Sequence, residues 1–292
     1  MKVLIQLGGM VLYYFILYGI YLFFKKLKIT LFYFLILNTL FVILIVFFFY
    51  IVDIYKIPKW LYDKKTQKDA CIDESTYHTI MMKSVLKYVM VYIPFAIVLF
   101  SLVFWRNKFP GLSNVKVTLL YFFILYGLSA YFSEFASYFI HKALHSELLF
   151  PFHKQHHEYI SPVCASIYDG HPIESFFWNL FPTFSFSLLF GIPIHILYVQ
   201  ALVGTIVALL VHSGYRIIDD GMMDMAHHDL HHERMKCNYS SPLVDKIMGT
   251  YIYREPEKVY PRFDKKENIF PMYTVHVHEY PSDKGQPYSF AQ

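Results

Sequence analysis

HKALH at 141–145, HKQHH at 153–157, GHP at 170–172, HSGY at 212–215 and HHDLHH at 227–232 hold eleven of the chain's fifteen histidines. His141 and His145 stand at i, i+4. His153, His156 and His157 follow i, i+3, i+4, and His228, His231 and His232 repeat that spacing. His227 adds a further i, i+4 pair with His231. On a helix, such spacings put imidazoles on one face, where they can reach a single ion. His171 and His212 each close or open a hydrophobic segment near a membrane boundary, as His141 does, and join the ligand candidates. An open metal site uses three or four protein ligands. The ten candidates His141, His145, His153, His156, His157, His171, His212, His228, His231 and His232 exceed that need, so two metals are expected. Neutral imidazole suits Fe, Cu, Ni and Zn alike. No cysteine lies within the boxes, which argues against structural zinc, and a site facing lipid favours a redox metal over hydrolytic chemistry.

The first box closes a long apolar run, so the metal site sits against a membrane. The chain has 292 residues, 56% hydrophobic and 20% aromatic, with a mean hydropathy of +0.37 and only 16% charged residues. That balance excludes an ordinary soluble globule. The net charge of +4 and the lack of a basic-aromatic motif argue against a nucleic-acid partner. Cys71, Cys164 and Cys237 are odd in number and far apart, which fits a reducing environment better than a disulfide framework.

Val3–Phe24 and Leu31–Val52 read as a transmembrane hairpin, the first limb a retained anchor rather than a cleaved signal. Residues 53–84 form a polar connector. Val85–Trp105 and Val117–Ile140 are the third and fourth spans. Ile173–Phe190 and Ile194–Val211, reversed at Gly191-Ile192-Pro193, form a further apolar hairpin that either crosses or dips in. The expected fold class is therefore an all-α integral membrane protein, four transmembrane helices plus a further apolar hairpin, with a cytosolic histidine-rich helical cap. Residues 85–251 form the catalytic unit and 252–292 a soluble C-terminal tail. Lys56, Lys59, Lys64, Lys65, Lys68, Lys83, Lys142 and Lys154 lie on the histidine side. Lys25, Lys26, Lys28, Arg106, Lys108 and Lys116 lie opposite, so the positive-inside rule favours a cytosol-facing cluster.

Asp169, Glu174 and Asp229 lie close to ligand candidates and are expected to accept spare imidazole N–H groups. Glu134, two turns before His141 in an apolar span, is expected to point toward the site, since a buried carboxylate there needs a partner. Outside the cluster, His195 reads as a packed or interfacial residue and His78 as structural. His276 and His278, alternating as on a strand, read as surface residues.

HKALH, the FHKQHH box with Phe152, HPIE, HSGY, and HHDLHH followed by CNYSSPLVDKIMGTY together resemble the fatty acid hydroxylase/sterol desaturase superfamily of membrane oxygenases, from Tyr131 to Tyr251. HPIE, HSGY and HHDLHH are similar to the C-4 methylsterol oxidase branch; HHDLHH with Cys237-Asn238 and Asp245-Lys246 is also similar to cholesterol 25-hydroxylases. The resemblance implies two Fe ions held by histidines, O2 as co-substrate, and a lipid substrate, a sterol before a fatty acyl or sphingoid chain. It also implies electrons from a separate donor such as cytochrome b5 with its NAD(P)H reductase, and residence in the endoplasmic reticulum membrane. A non-catalytic metal-binding membrane protein is the reading from another class.

Overall fold

The computed structural model describes residues 2–67, 73–218 and 224–254, with side chains from residue 9 onward. His276, His278 and the expected tail beyond Arg254 lie outside the described residues. The described chain is helical and holds no strand, only an isolated antiparallel bridge between Lys65 and Tyr215. Helix α1 (Lys2–Lys26) stops at its lysine pair and turns back through Lys28 into α2 (Leu31–Tyr55). Next come α3 (Glu74–Arg106) and α4 (Leu119–Leu144), then α5 (Phe181–Phe190) and α6 (Ile194–Val211), and finally α7 (Ala226–Arg234) and α8 (Pro242–Met248).

Among the described residues, α2, α3, α4 and α6 are long and apolar enough to cross a membrane, and α1 has the 25-residue length of α2. Of the expected apolar hairpin, only the second limb, α6, is among the helices both long and apolar enough to cross. The first is divided into a short turn at Pro172–Glu174, a π-helical turn at Ser175–Leu180 and the ten residues of α5. Pro182 explains the division: it cannot donate to the helix ladder and its ring crowds the carbonyl one turn back, so the preceding turn widens. Pro94 does the same to α3, where Tyr88–Tyr92 is π-helical and Ile93 N–H reaches Tyr88 O. Helix α3 also starts inside the expected connector. Asp73 caps it, its Oδ1 accepting from Thr76 N–H at 2.9 Å and satisfying one of the orphan donors of the first turn.

Helix α6 is the inner element. Its most apolar stretch is 44% buried within the protein, against 22–28% for the other three spans. Tyr198 shows why: it stacks on Phe34 of α2 at 4.4 Å between ring centroids and meets Phe100 of α3 edge-on. A polar pair buried in this packing, Ser129 of α4 and Gln200 of α6, is hydrogen-bonded to itself, which lowers the cost of removing it from water. Outward-facing residues such as Leu12, Phe15, Leu44, Phe47, Leu86 and Leu128 are exposed, which gives the bundle an apolar girdle.

The α5–α6 reversal is pinned by α3. Gly191 has φ +61°, and a Cβ there would lie 2.9 Å from Asn107 Oδ1; the Asn107 amide meanwhile donates to Ile192 O at 3.0 Å. The histidine end of the bundle is closed by a strap from the connector. Thr66 N–H donates to Gly214 O at 2.9 Å and Arg216 N–H to Lys64 O at 3.0 Å. The strap thus lies beside the corner at Gly214, whose φ of +75° favours glycine.

Candidate metal centre

Nine imidazoles converge at this end, in two groups. His141, His145, His153, His157 and His231 form one; His156, His212, His228 and His232 form the other. Within each group the ligand nitrogens lie within 4.8 Å of one another, and all but His145 are buried. Each group draws on distant parts of the chain. His141 lies in the last turn of α4 and His145 caps it. The tight 3₁₀ turns around Phe150–Phe152 and His156–Glu158 present His153 and His157 to one group and His156 to the other. His212 caps α6, and α7 splits its box, giving His231 to the first group and His228 and His232 to the second.

The nitrogen chemistry of both groups fits a cation. In the first, Nε2 atoms meet at 3.0 Å (His141–His153), 3.1 Å (His145–His231) and 3.0 Å (His153–His157). In the second they meet at 3.3 Å (His156–His212), 3.1 Å (His212–His228) and 3.2 Å (His228–His232). The opposite nitrogens face acceptors: His141 Nδ1 lies 2.6 Å from Tyr239 O, His231 Nδ1 2.6 Å from Cys237 O and His212 Nδ1 2.8 Å from Ala208 O. A proton on Nδ1 satisfies each carbonyl and turns an Nε2 lone pair inward. Lone pairs that face one another cannot hydrogen-bond among themselves, whereas a metal ion satisfies them together. Burial, reinforced by neighbouring imidazoles, holds His156, His157, His228 and His232 well below their ordinary pKa. Burial also pushes His231 down to about 3. The rings are therefore neutral, the form that binds metal.

Glu174 is fully buried between the groups. Its Oε1 is 3.2 Å from His153 Nδ1 and 3.5 Å from His156 Nδ1, so one carboxylate faces a ring from each. The other carboxylates differ from expectation. Asp169 accepts from Lys87, Gln155 and Tyr159 at 2.6, 2.9 and 2.5 Å; it anchors the turn that carries the second box, without touching an imidazole. Asp229 points away from the ligands, accepting from Thr66 and Gln67 of the strap at 2.9 and 3.0 Å and facing Arg254 at 3.2 Å. Glu134 accepts from Ser240 Oγ at 3.0 Å, so its partner is the loop before α8 rather than the metal groups.

His171 stands apart from both groups. Its Nδ1 accepts from Ile173 N–H at 3.2 Å, capping the short turn at Pro172, and its ring packs on Phe152. His227 is held by the carbonyls of Asp224 and Ser240. His195 packs edge-on against Tyr198, and His78 lies beside Tyr50 on the surface of α3. Sequence spacing alone does not reveal two aromatic walls. Tyr239 meets His141, His145 and His231, and Trp178 lies against rings of both groups. Trp178 follows the HPIE tetrapeptide by only a turn, which is the signal that could have marked it.

Comparison with known proteins agrees with this geometry. The family profile described as fatty acid hydroxylase matches residues 126–250. A Delta(7)-sterol 5(6)-desaturase of Gibberella zeae is 30% identical over 143 residues, 47% of this chain and 40% of that protein. Methylsterol monooxygenase 1 of Gallus gallus is 30% identical over 149 residues, 45% of this chain and 48% of its own length. A fatty acid hydroxylase of Mycosarcoma maydis is 32% identical over 115 residues, 39% of this chain and 30% of its own. In each case the match spans less than half of the relative. No solved structure matches the chain. All nine converging histidines fall between residues 126 and 250, the part of the chain that matches the fatty acid hydroxylase profile.

Proposed function

We propose that the protein is a membrane-bound, O2-dependent, non-haem di-iron oxidoreductase that hydroxylates or desaturates a lipid, a sterol before a fatty acyl chain. The observation that carries this reading is the division of nine imidazoles into groups of five and four, each a sufficient donor set for one metal. Bound there, iron supplies the redox chemistry that lets dioxygen attack an unactivated C–H bond. The chain's own residues do the rest. Tyr239, Cys237 and Ala208 carbonyls fix three rings in the tautomer that offers Nε2, and Glu174 orients one ring from each group. Phe150, Trp178 and Tyr239 line the ring clusters with apolar surface and keep bulk water out. The bundle aligns one substrate carbon entering from the bilayer.

Hydroxylation of C–H with O2 takes up two electrons and two protons and releases water, so a separate donor such as cytochrome b5 with its NAD(P)H reductase completes the system. In this proposal the first hairpin (1–52) and the connector (53–84) support a catalytic unit at 85–251, in the endoplasmic reticulum membrane, with the histidine end toward the cytosol. The sterol preference draws support from the sterol desaturase and methylsterol monooxygenase relatives, and the acyl alternative from the fatty acid hydroxylase relative.

Elemental analysis of purified protein, loaded with iron without oxygen, is expected to give two iron ions per chain; a single metal, or zinc alone, would overturn the di-iron reading. Sterol and fatty acyl profiling of a knockout then separates the substrates. Accumulation of a sterol precursor supports the first choice, and a changed acyl profile with unchanged sterols transfers the protein to the second.

A further inference from the structure

Trp178 lies against imidazoles of both metal groups. Its ring centroid is 3.9 Å from that of His141 and 5.3 Å from that of His153 in the five-histidine group. It is 5.1 Å from His156 and 6.1 Å from His228 in the four-histidine group. The indole is only half-buried, and its apolar neighbours Ile173 and Phe177 are 40% and 50% exposed. It does not swing freely: Nε1–H donates to Ser137 Oγ at 3.0 Å, one turn before His141 on α4. It also rides on the π-helical turn Ser175–Leu180, a distortion often found at functional sites.

We propose that Trp178 is the substrate-positioning wall of the site. In this role its indole forms the apolar surface on which an uncharged lipid segment lies, and its bulk sets which carbon faces the metals. The proposal rests on the di-iron lipid reading above and deepens it. The chemistry of the wall selects the class of substrate segment: a flat, uncharged indole favours fused rings or methylene chain and offers an anionic headgroup no partner. Reaction requires the attacked carbon near ~3–3.5 Å from its oxidant, so a smaller side chain at this position moves the substrate deeper and exposes a different carbon.

Two measurements test it. The chain has three tryptophans, and Trp60 and Trp105 are exposed at 64% and 58%, so W60F/W105F leaves Trp178 as the single reporter. In vesicles of phosphatidylcholine with brominated acyl chains, its fluorescence is expected to fall relative to unbrominated vesicles, and to fall again when ferrous ion is bound anaerobically. No bromine quenching, or no quenching at full iron occupancy, overturns the two-sided placement. In cells making the protein, W178F and W178A are expected to change the ratio or position of oxidised lipid products, with turnover in W178A lowered about 10–100-fold and iron content unchanged. An unaltered product pattern at unaltered iron content overturns the proposal. A wild-type protein that binds no iron sinks instead the reading beneath it, and the same elemental analysis tells the two failures apart.

Discussion

A histidine's place in the sequence and its job in the fold are separable, as His171 and His231 show. Both sit in tight motifs, yet His231 turns Nε2 to His145 and His157, while His171 spends its ring on a backbone N–H. His231→Ala is therefore expected to weaken iron binding in the five-histidine group and abolish turnover with membrane insertion intact. His171→Ala is expected to leave iron content unchanged, and loss of metal in that variant would return His171 to the ligand set. The i, i+4 pairs are legible in sequence, since His141 and His145, His153 and His157, and His228 and His232 each share a group; that His156 and His231, at i+3, cross to the other group is not. The partners that fix the rings are not legible: three are main-chain carbonyls, which no residue type announces. Asp169 and Asp229 mislead for a related reason. Adjacency along the chain puts Asp229 on the opposite face of α7 from its neighbours' rings, where the strap meets it.

The spans follow from apolar run length, and the sequence places most of their ends within a few residues; α3 is the exception, starting at Glu74, well before the expected Val85. Their interruptions follow from single prolines, Pro94 and Pro182, whose effect is to widen a turn rather than end the helix. The strap is less visible, since Thr66 and Gln67 carry no motif and their partner lies more than 160 residues away. Asp229 is fully buried and loses neutralising donors when the strap is cut. T66V/Q67L is expected to destabilise the protein by about 1–3 kcal/mol, read as a lowered thermal midpoint in detergent. A midpoint equal to wild type would mean that Arg254 alone satisfies the carboxylate.

The assembled molecule concentrates neutral imidazoles in one buried place, and this couples its stability to pH. In the unfolded chain these side chains titrate near 6.5; folded, burial holds His156, His157, His228 and His232 well below that and His231 at about 3. Above about 6.5 both states are neutral and nothing is lost. As pH falls from there toward the folded values, the unfolded state binds more protons and stability declines. The metal-free protein is expected to melt lower at pH 5.5 than at pH 7.5, and a midpoint that holds or rises on acidification would contradict the buried neutral cluster.

The strap has one more implication. The segment of family resemblance, 126–250, ends where Asp229 still needs Thr66, Gln67 and Arg254, and its inner helix α6 still needs Phe34 and Phe100. The recognisable portion is thus not a transplantable cassette: grafted alone, it would carry every ligand and lack the scaffold that keeps them in register.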